Sequence, residues 1–281
     1  MNDLKRILSF TRRAVDDYSM IEEGDRIAVG ISGGKDSLTL LCALSEMRLF
    51  YPKKFELVAI SIDMGFEGVD FSEIRELCSR LRVPYHVIPT QISTIIFDVR
   101  KEPNPCALCA KMRRGALHTA AVELGCNKVA LGHHFDDVVE TFMLNLFYEG
   151  RLGCFQPVTY LSRMNVTLIR PMIYMPEKDV RYFASKVNLP VMKSPCPADG
   201  NTEREEMKKL LASIERNNRG LRYRIFGAIQ RGNIDGFHEA GRLKGVGAYE
   251  DEERLIPEDQ PFLFASIFVL RTSEMLPLCG K

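Results

Sequence analysis

The sequence predicts an α/β fold: a doubly wound, Rossmann-like parallel sheet of about five strands, with an N-terminal helix and a C-terminal extension. Three observations predict it. Short β-branched runs alternate with helical patterns through most of the chain, the signature of βαβ units. The runs are apolar throughout, as strands covered on both faces are. The first run also leaves through a glycine-rich turn directly into a helical pattern.

The elements follow in order. Residues 3–18 carry Leu4, Ile7, Leu8, Val15 and Tyr18 near helical spacing, an amphipathic helix. Residues 26–31 form a first strand. Residues 36–49 are leucine-rich and free of proline, hence helical. Residues 57–62 give a second strand. Residues 71–81 give a helix with Ile74, Leu77, Cys78 and Leu81 on one face. Residues 85–88 give a third strand. Residues 111–124 form a helix that ends at Gly125, a natural C′ glycine. Residues 129–131 are a fourth strand, followed by a helix over 136–148. Residues 166–169 are a fifth strand, and Pro176 opens a helix reaching 187. Beyond Cys196 the chain changes character. Residues 202–218 are helical and charged, 220–247 rich in glycine and arginine, 249–259 acidic, and the last twenty apolar.

Composition narrows the class. Of 281 residues, 46% are hydrophobic and 27% charged, ordinary globular values that exclude a collagen or a disordered chain. No apolar run reaches the roughly 18 residues of a membrane helix, and residues 1–10 hold no signal-peptide core. A cytoplasmic protein without a membrane segment is expected. Its eight cysteines are then thiols or metal ligands rather than disulfides.

The sharpest motif is Ser32-Gly33-Gly34-Lys35-Asp36-Ser37, between a strand and a helix. The two glycines let an anion approach the backbone closely. Backbone N–H groups and the positive helix end favour phosphate there. Ser32 and Ser37 add hydroxyls and Lys35 adds charge. Asp36 follows the lysine, so this is not a Walker A loop, and the third glycine of a dinucleotide fingerprint is missing. The hexapeptide resembles the PP-loop of the ATP pyrophosphatase superfamily, whose members cleave ATP between the α and β phosphates. The resemblance implies that residues 32–37 hold pyrophosphate while the substrate is adenylylated. A second similar stretch runs from Leu131 through Gly132, His133, His134, Phe135, Asp136 and Asp137 to Thr141. The resemblance implies ATP contacts from Ile62, Gly132 and His133, and from Asp137 a hold on Mg²⁺ or on the reacting groups. His133 and His134 are candidates for catalysis, with the structural or solvated reading favoured for each.

Cys106-Ala107-Leu108-Cys109 is a CxxC pair, with Lys111, Arg113 and Arg114 after it. Two thiolates at this spacing bind a metal or a cluster, serve as a redox pair, or form half a zinc site. Cys196 is flanked by Pro195 and Pro197. Cys42 and Cys78 read as core, and Cys126, Cys154 and Cys279 as non-ligands.

The whole set of PP-loop, Cys106/Cys109, Arg113-Arg114-Gly115, residues 132–141, Phe147-Tyr148, Arg170-Pro171 and Cys196 looks like the tRNA 2-thiocytidine biosynthesis (TtcA) family. The match runs from about residue 20 to about residue 211. The resemblance implies an ATP-dependent tRNA-cytidine sulfurtransferase using ATP, Mg²⁺ and a 4Fe–4S cluster on Cys106, Cys109 and Cys196, with one iron open to hold sulfide. It implies tRNA as substrate, a sulfide or persulfide donor such as a cysteine desulfurase, and a homodimer. Arg113 is the candidate for stabilising the adenylate or holding tRNA. In many family members a further cysteine lies a few residues before the Cys196 position; none does here. The zinc-finger cysteines of related 2-thiouridine enzymes are also missing, which favours cytidine over uridine. On this reading residues 1–22 are an N-terminal helix, 23–200 the catalytic domain, 201–240 a basic helical region, and 241–281 a tail of unassigned role. The competing readings are another PP-loop ligase and a nucleotide-binding module with structural zinc.

The formal net charge of +1 seems to oppose a nucleic-acid partner. The segments reverse that. Residues 100–114 hold five basic side chains against one acid, and 208–231 hold seven against one. The acidic stretch beyond 245 cancels much of this in the total. Arg114, Arg219 and Arg222 are the candidates for phosphate contacts.

Overall fold

The computed structural model describes residues 2–102, 105–197 and 203–239. The tail over 241–281, including Cys279, lies outside the described residues. The sheet has six strands in the order β3-β2-β1-β4-β6-β5. They are β1 (Asp25–Gly30), β2 (Phe55–Asp63), β3 (Tyr85–Pro89), β4 (Lys128–Ala130), β5 (Val158–Leu161) and β6 (Val166–Ile169). Five of them run parallel, as expected. The sixth corrects the expected count: β5 pairs antiparallel with β6, Val158 opposite Ile169. Its mixed, half-exposed pattern carries no long apolar run, so a sequence reading passes over it.

Among the described residues eight α-helices accompany the sheet: α1 (Asn2–Asp17), α2 (Lys35–Phe50), α3 (Ser72–Arg80), α4 (Pro105–Glu123), α5 (Phe135–Tyr148), α6 (Glu177–Lys186), α7 (Glu203–Asn217) and α8 (Leu221–Arg231). A π-helical turn over Thr94–Val99 was not foreseen. The α4 helix begins earlier than the expected residue 111. Proline fits the first turn of a helix, where a missing N–H costs nothing, so Pro105 opens α4 and the CxxC pair lies within it.

Strand residues alternate between two cores. Ile27, Val29, Leu57 and Ala59 face the larger core, shared with α1, α2, α5 and α6. Ala28, Val58, Ile60 and Val129 face a smaller core under Leu117, Ala120 and Ala121 of α4. The α2 helix is buried on all sides from Ser37 to Met47, as expected for a helix that is apolar all round. The basic region is not detached: Met207, Leu211, Phe226 and Ile229 of α7 and α8 enter the larger core. Phe237 is fully buried against Tyr18 and Phe226.

Strand order places the functional cleft. From β1 the chain moves to β2 and β3 on one side, then returns to β4 and β6 on the other. In open α/β sheets ligands bind outside the carboxyl ends of the strands at such a switch point. Here that is the crevice beyond β1 and β4. Among the described residues no helix is long and apolar enough to cross a membrane.

Candidate active site

A cleft of about 670 Å³ opens at that crevice. Its floor is the loop joining β1 to α2. Gly33 has φ +82° and Gly34 is the N-cap of α2 with no side-chain cap. The first N–H groups of α2 are therefore available to an anion. The hydroxyls of Ser32 and Ser37 lie 3.2 Å apart, and Ser37 Oγ donates to Gly34 O. These bonds hold the loop in its wound form. Two close approaches fix it further. A Cβ on Gly33 would stand 2.9 Å from Met192 Sδ, and one on Gly132 would stand 3.0 Å from the Asp36 carbonyl carbon. Glycine is thus required at 33 by φ and by space, and at 132 by backbone packing.

Lys35 pairs with Asp36 at 3.1 Å and with Glu177 at 3.2 Å. Burial works against its charge, but Asp36 and Glu177 outweigh burial and raise its pKa. Glu177 also holds Lys208 at 2.7 Å and Arg181 at 3.1 Å. Burial opposes ionisation of Glu177, yet these cations lower its pKa to about 2.

The start of α5 is a reciprocal cap. His134 Nδ1 accepts from the Asp137 N–H, and Asp137 Oδ2 accepts from the His134 N–H at 2.9 Å. Nδ1 therefore carries the lone pair and Nε2 the proton, 3.7 Å from Asp36 Oδ1. Asp137 Oδ1 pairs with Arg204 at 3.1 Å, and Arg204 also donates to Thr141. Both Asp137 oxygens are thus engaged by protein groups. His134 is buried and structural. His133 lines the cleft instead. Burial, then the positive charge of Arg170, lowers its pKa to about 4, so its ring is neutral near pH 7.

The cysteines converge from two distant segments. Cys106 is exposed, while Cys109 and Cys196 are half-buried. Burial pushes the Cys109 thiol up and Arg113 pulls it down, whereas Cys196 and Cys106 both push it further up. Cys106 and Cys196 therefore both lie within electrostatic reach of Cys109. Arg113 also hydrogen-bonds Cys109 and lines the cleft with Arg114. The Cys196 segment is tied to the phosphate loop, because the Met192 N–H donates to Gly33 O at 2.9 Å. Among the described residues no three His, Cys, Asp or Glu side chains converge closely enough for a single metal ion. Cysteine thiolates are the donor chemistry of iron–sulfur clusters, and the three candidate thiols fit that chemistry.

Four further cysteines lie among the described residues. Cys42, Cys78 and Cys126 are buried, and Cys154 Sγ bonds the Val138 carbonyl. One expected contact residue needs correction. Arg222 is 11% exposed and held by Asp136, Glu140 and Glu215 at 3.1–3.3 Å. It is a clamp between α8 and α5, not a free phosphate contact. Arg219 is exposed at the turn before α8. Arg204, Glu177, Phe155 and Thr141 were not foreseen as site residues; each reaches the site or its loop lysine through contacts that leave no spacing in the sequence.

This geometry finds its counterpart in known proteins. Residues 6–211 match the PP-loop domain family. A protein of Syntrophotalea carbinolica is 40% identical over 83% of this chain and 91% of its own, and is a tRNA-cytidine(32) 2-sulfurtransferase. The chain belongs to the tRNA-cytidine(32) 2-sulfurtransferase family. A Geobacter sulfurreducens member of the family is 40% identical, over 82% of this chain and 90% of its own. Among solved structures, the chain is similar to the U34-tRNA thiolase NcsA from Methanococcus maripaludis with its [4Fe-4S] cluster. That likeness has a TM-score of 0.67 and 27% identity, covering 79% of this chain and 76% of that one. The family's PP-loop match includes residues 32–37, all three candidate cysteines and the start of α7.

Proposed function

We propose that this chain is an ATP-dependent tRNA sulfurtransferase that converts a cytidine of the anticodon loop to 2-thiocytidine. The observation that carries the reading is that Cys106 and Cys196 both lie within electrostatic reach of Cys109, next to an uncapped phosphate loop to which the Cys196 segment is tied through Met192. The activity of the curated relatives points the same way.

The C2 carbonyl oxygen of the base attacks the α-phosphorus of ATP, and pyrophosphate leaves. The N–H groups of the loop and the start of α2 stabilise the departing charge, with Lys35 beside them. Asp36 and Asp137 are the carboxylates of the cleft that would face Mg²⁺, the first paired with Lys35 and the second with Arg204 and the α5 cap. Arg113 stands between Cys109 and the cleft, where it steadies the adenylylated base. Cys106, Cys109 and Cys196 would hold a 4Fe–4S cluster, which when bound supplies a site for sulfur at the sulfide level. Sulfide adds to C2, the oxygen leaves within AMP, and the sulfide proton passes to solvent. The sulfur comes from a donor such as a cysteine desulfurase. Phosphates of tRNA meet Arg114 and Arg219.

The test is mass spectrometry of tRNA nucleosides from cells lacking the gene. Loss of 2-thiocytidine is expected. Unchanged 2-thiocytidine overturns the reading, and loss of 2-thiouridine in its place moves the activity to uridine. Cys196→Ser abolishes thiolation and iron content while ATP still binds; full activity in that variant points to a PP-loop ligase without a cluster.

A further inference from the structure

Buried polar atoms without partners are few in native proteins. Among the described residues, three of the eight side-chain atoms without a hydrogen bond line the cleft: Asp36 Oδ1, which the Lys35 ammonium pairs at 3.1 Å, His133 Nδ1 and Arg170 Nε. Asp36 belongs to the phosphate loop. The other two stand together further along. Phe155 joins them, its ring centroid 4.8 Å from that of His133 at a tilt of 32°, and 5.0 Å from the Arg170 guanidinium carbon. Arg170 is fixed from behind by Gln156 O and Thr159.

The position of this group matters. Ile60 and Ile62 lie at the end of β2 and line one side of the cleft. His133 follows β4, Arg170 follows β6, and Phe155 precedes β5, whose start lies opposite the end of β6. Strands β1 and β4, with the phosphate loop, lie between. The cleft thus has an apolar side suited to adenine and a second side with an aromatic ring and two unpaired nitrogens. Burial and Arg170 keep the His133 ring neutral, so it offers a hydrogen bond rather than a charge.

We propose that His133, Phe155 and Arg170 form the seat of the nucleobase to be thiolated, a flat wall against which a pyrimidine extruded from the anticodon loop packs. This rests on the tRNA reading and deepens it. A base must leave its stack to reach a buried reacting centre, and aromatic faces receive such bases. Arg170 Nε–H is a fixed donor. The neutral His133 ring supplies a second when its proton sits on the nitrogen facing the base. Cytosine presents N3 and O2 as adjacent acceptors, which two donors match. Uracil carries a proton on N3 and does not match.

The experiment measures affinity for anticodon stem-loop RNAs with cytidine, uridine or an abasic site at position 32, and affinity for a non-hydrolysable ATP analogue. The full-length protein is expected to favour the cytidine RNA over the abasic one by about ten-fold. Phe155→Leu is expected to erase that preference while ATP-analogue affinity is unchanged. Arg170→Lys keeps the charge and loses the Nε donor; it is expected to level cytidine against uridine. Retained preference in both variants overturns the nucleobase seat while leaving the tRNA reading intact. No preference in the unmodified protein overturns the tRNA reading, and the seat with it.

Discussion

Glu177 is the point where the phosphate loop is tied to the C-terminal helices, and its replacement by glutamine gives a quantitative test. Its side chain is 10% exposed and holds Lys35, Lys208 and Arg181 at 2.7–3.2 Å. Those cations lower the carboxyl pKa from 4.5 to about 2. A shift of that size corresponds to about 3 kcal/mol favouring the ionised folded form. The folded pKa is depressed, so this stability is fully present above pH 4.5 and disappears as pH falls from 4.5 towards 2. Glutamine preserves shape and removes charge. At pH 7, Glu177→Gln is expected to lose about 2–3 kcal/mol in urea unfolding, with α7 exchanging its amide hydrogens faster. The gap between the two proteins should narrow as pH is lowered to 3.5. A gap below about 0.5 kcal/mol at pH 7 refutes the reasoning, as does one independent of pH.

Further predictions follow from the loop and the clamp. Gly33→Ala places a Cβ at φ +82°, 2.9 Å from Met192 Sδ. Calorimetry is expected to show ATP affinity reduced about ten-fold, from strain of about 1–2 kcal/mol; adding Met192→Ala relieves the contact but not the strain. Arg222→Met leaves Asp136 and Glu140 without their cation, and burial already raises the Glu140 pKa. A loss of about 3–5 kcal/mol in unfolding free energy is expected. Arg219→Glu, at an exposed position, is expected to leave stability within about 0.5 kcal/mol. It should weaken tRNA binding and reduce its salt dependence. The His133 ring, followed by NMR, is expected to titrate near 4 and to stay neutral through the physiological range.

The contrast between Arg219 and Arg222 shows how far the sequence reaches. Both belong to the same basic stretch, and nothing in their spacing separates a solvent-facing arginine from a buried clamp. Packing of α8 on α5 separates them, because it brings Arg222 against carboxylates at 136 and 140, far away in the chain. The same holds for Arg204 on Asp137 and for Lys208 on Glu177. Such pairs leave no periodicity behind. The CxxC pair is legible as a thiol site, but the helical frame around it is not, since the helical pattern shows from residue 111 while α4 opens at Pro105.

The sequence by itself determined the parallel α/β scaffold, the phosphate loop and the three candidate thiols. Each is a local signal: an apolar run, a glycine pair that permits a wound backbone, a CxxC spacing. The tertiary structure alone decided what surrounds them. It brought Cys196 within reach of Cys109 and tied its segment to the phosphate loop through the Met192–Gly33 bond. It committed Asp137 to a cap and an arginine, and it left His133 and Arg170 with unpaired nitrogens beside Phe155 in the cleft. Chain topology fixes these meetings. Strands β1 and β4 lie side by side although about a hundred residues separate them, and the chemistry collects where their ends meet.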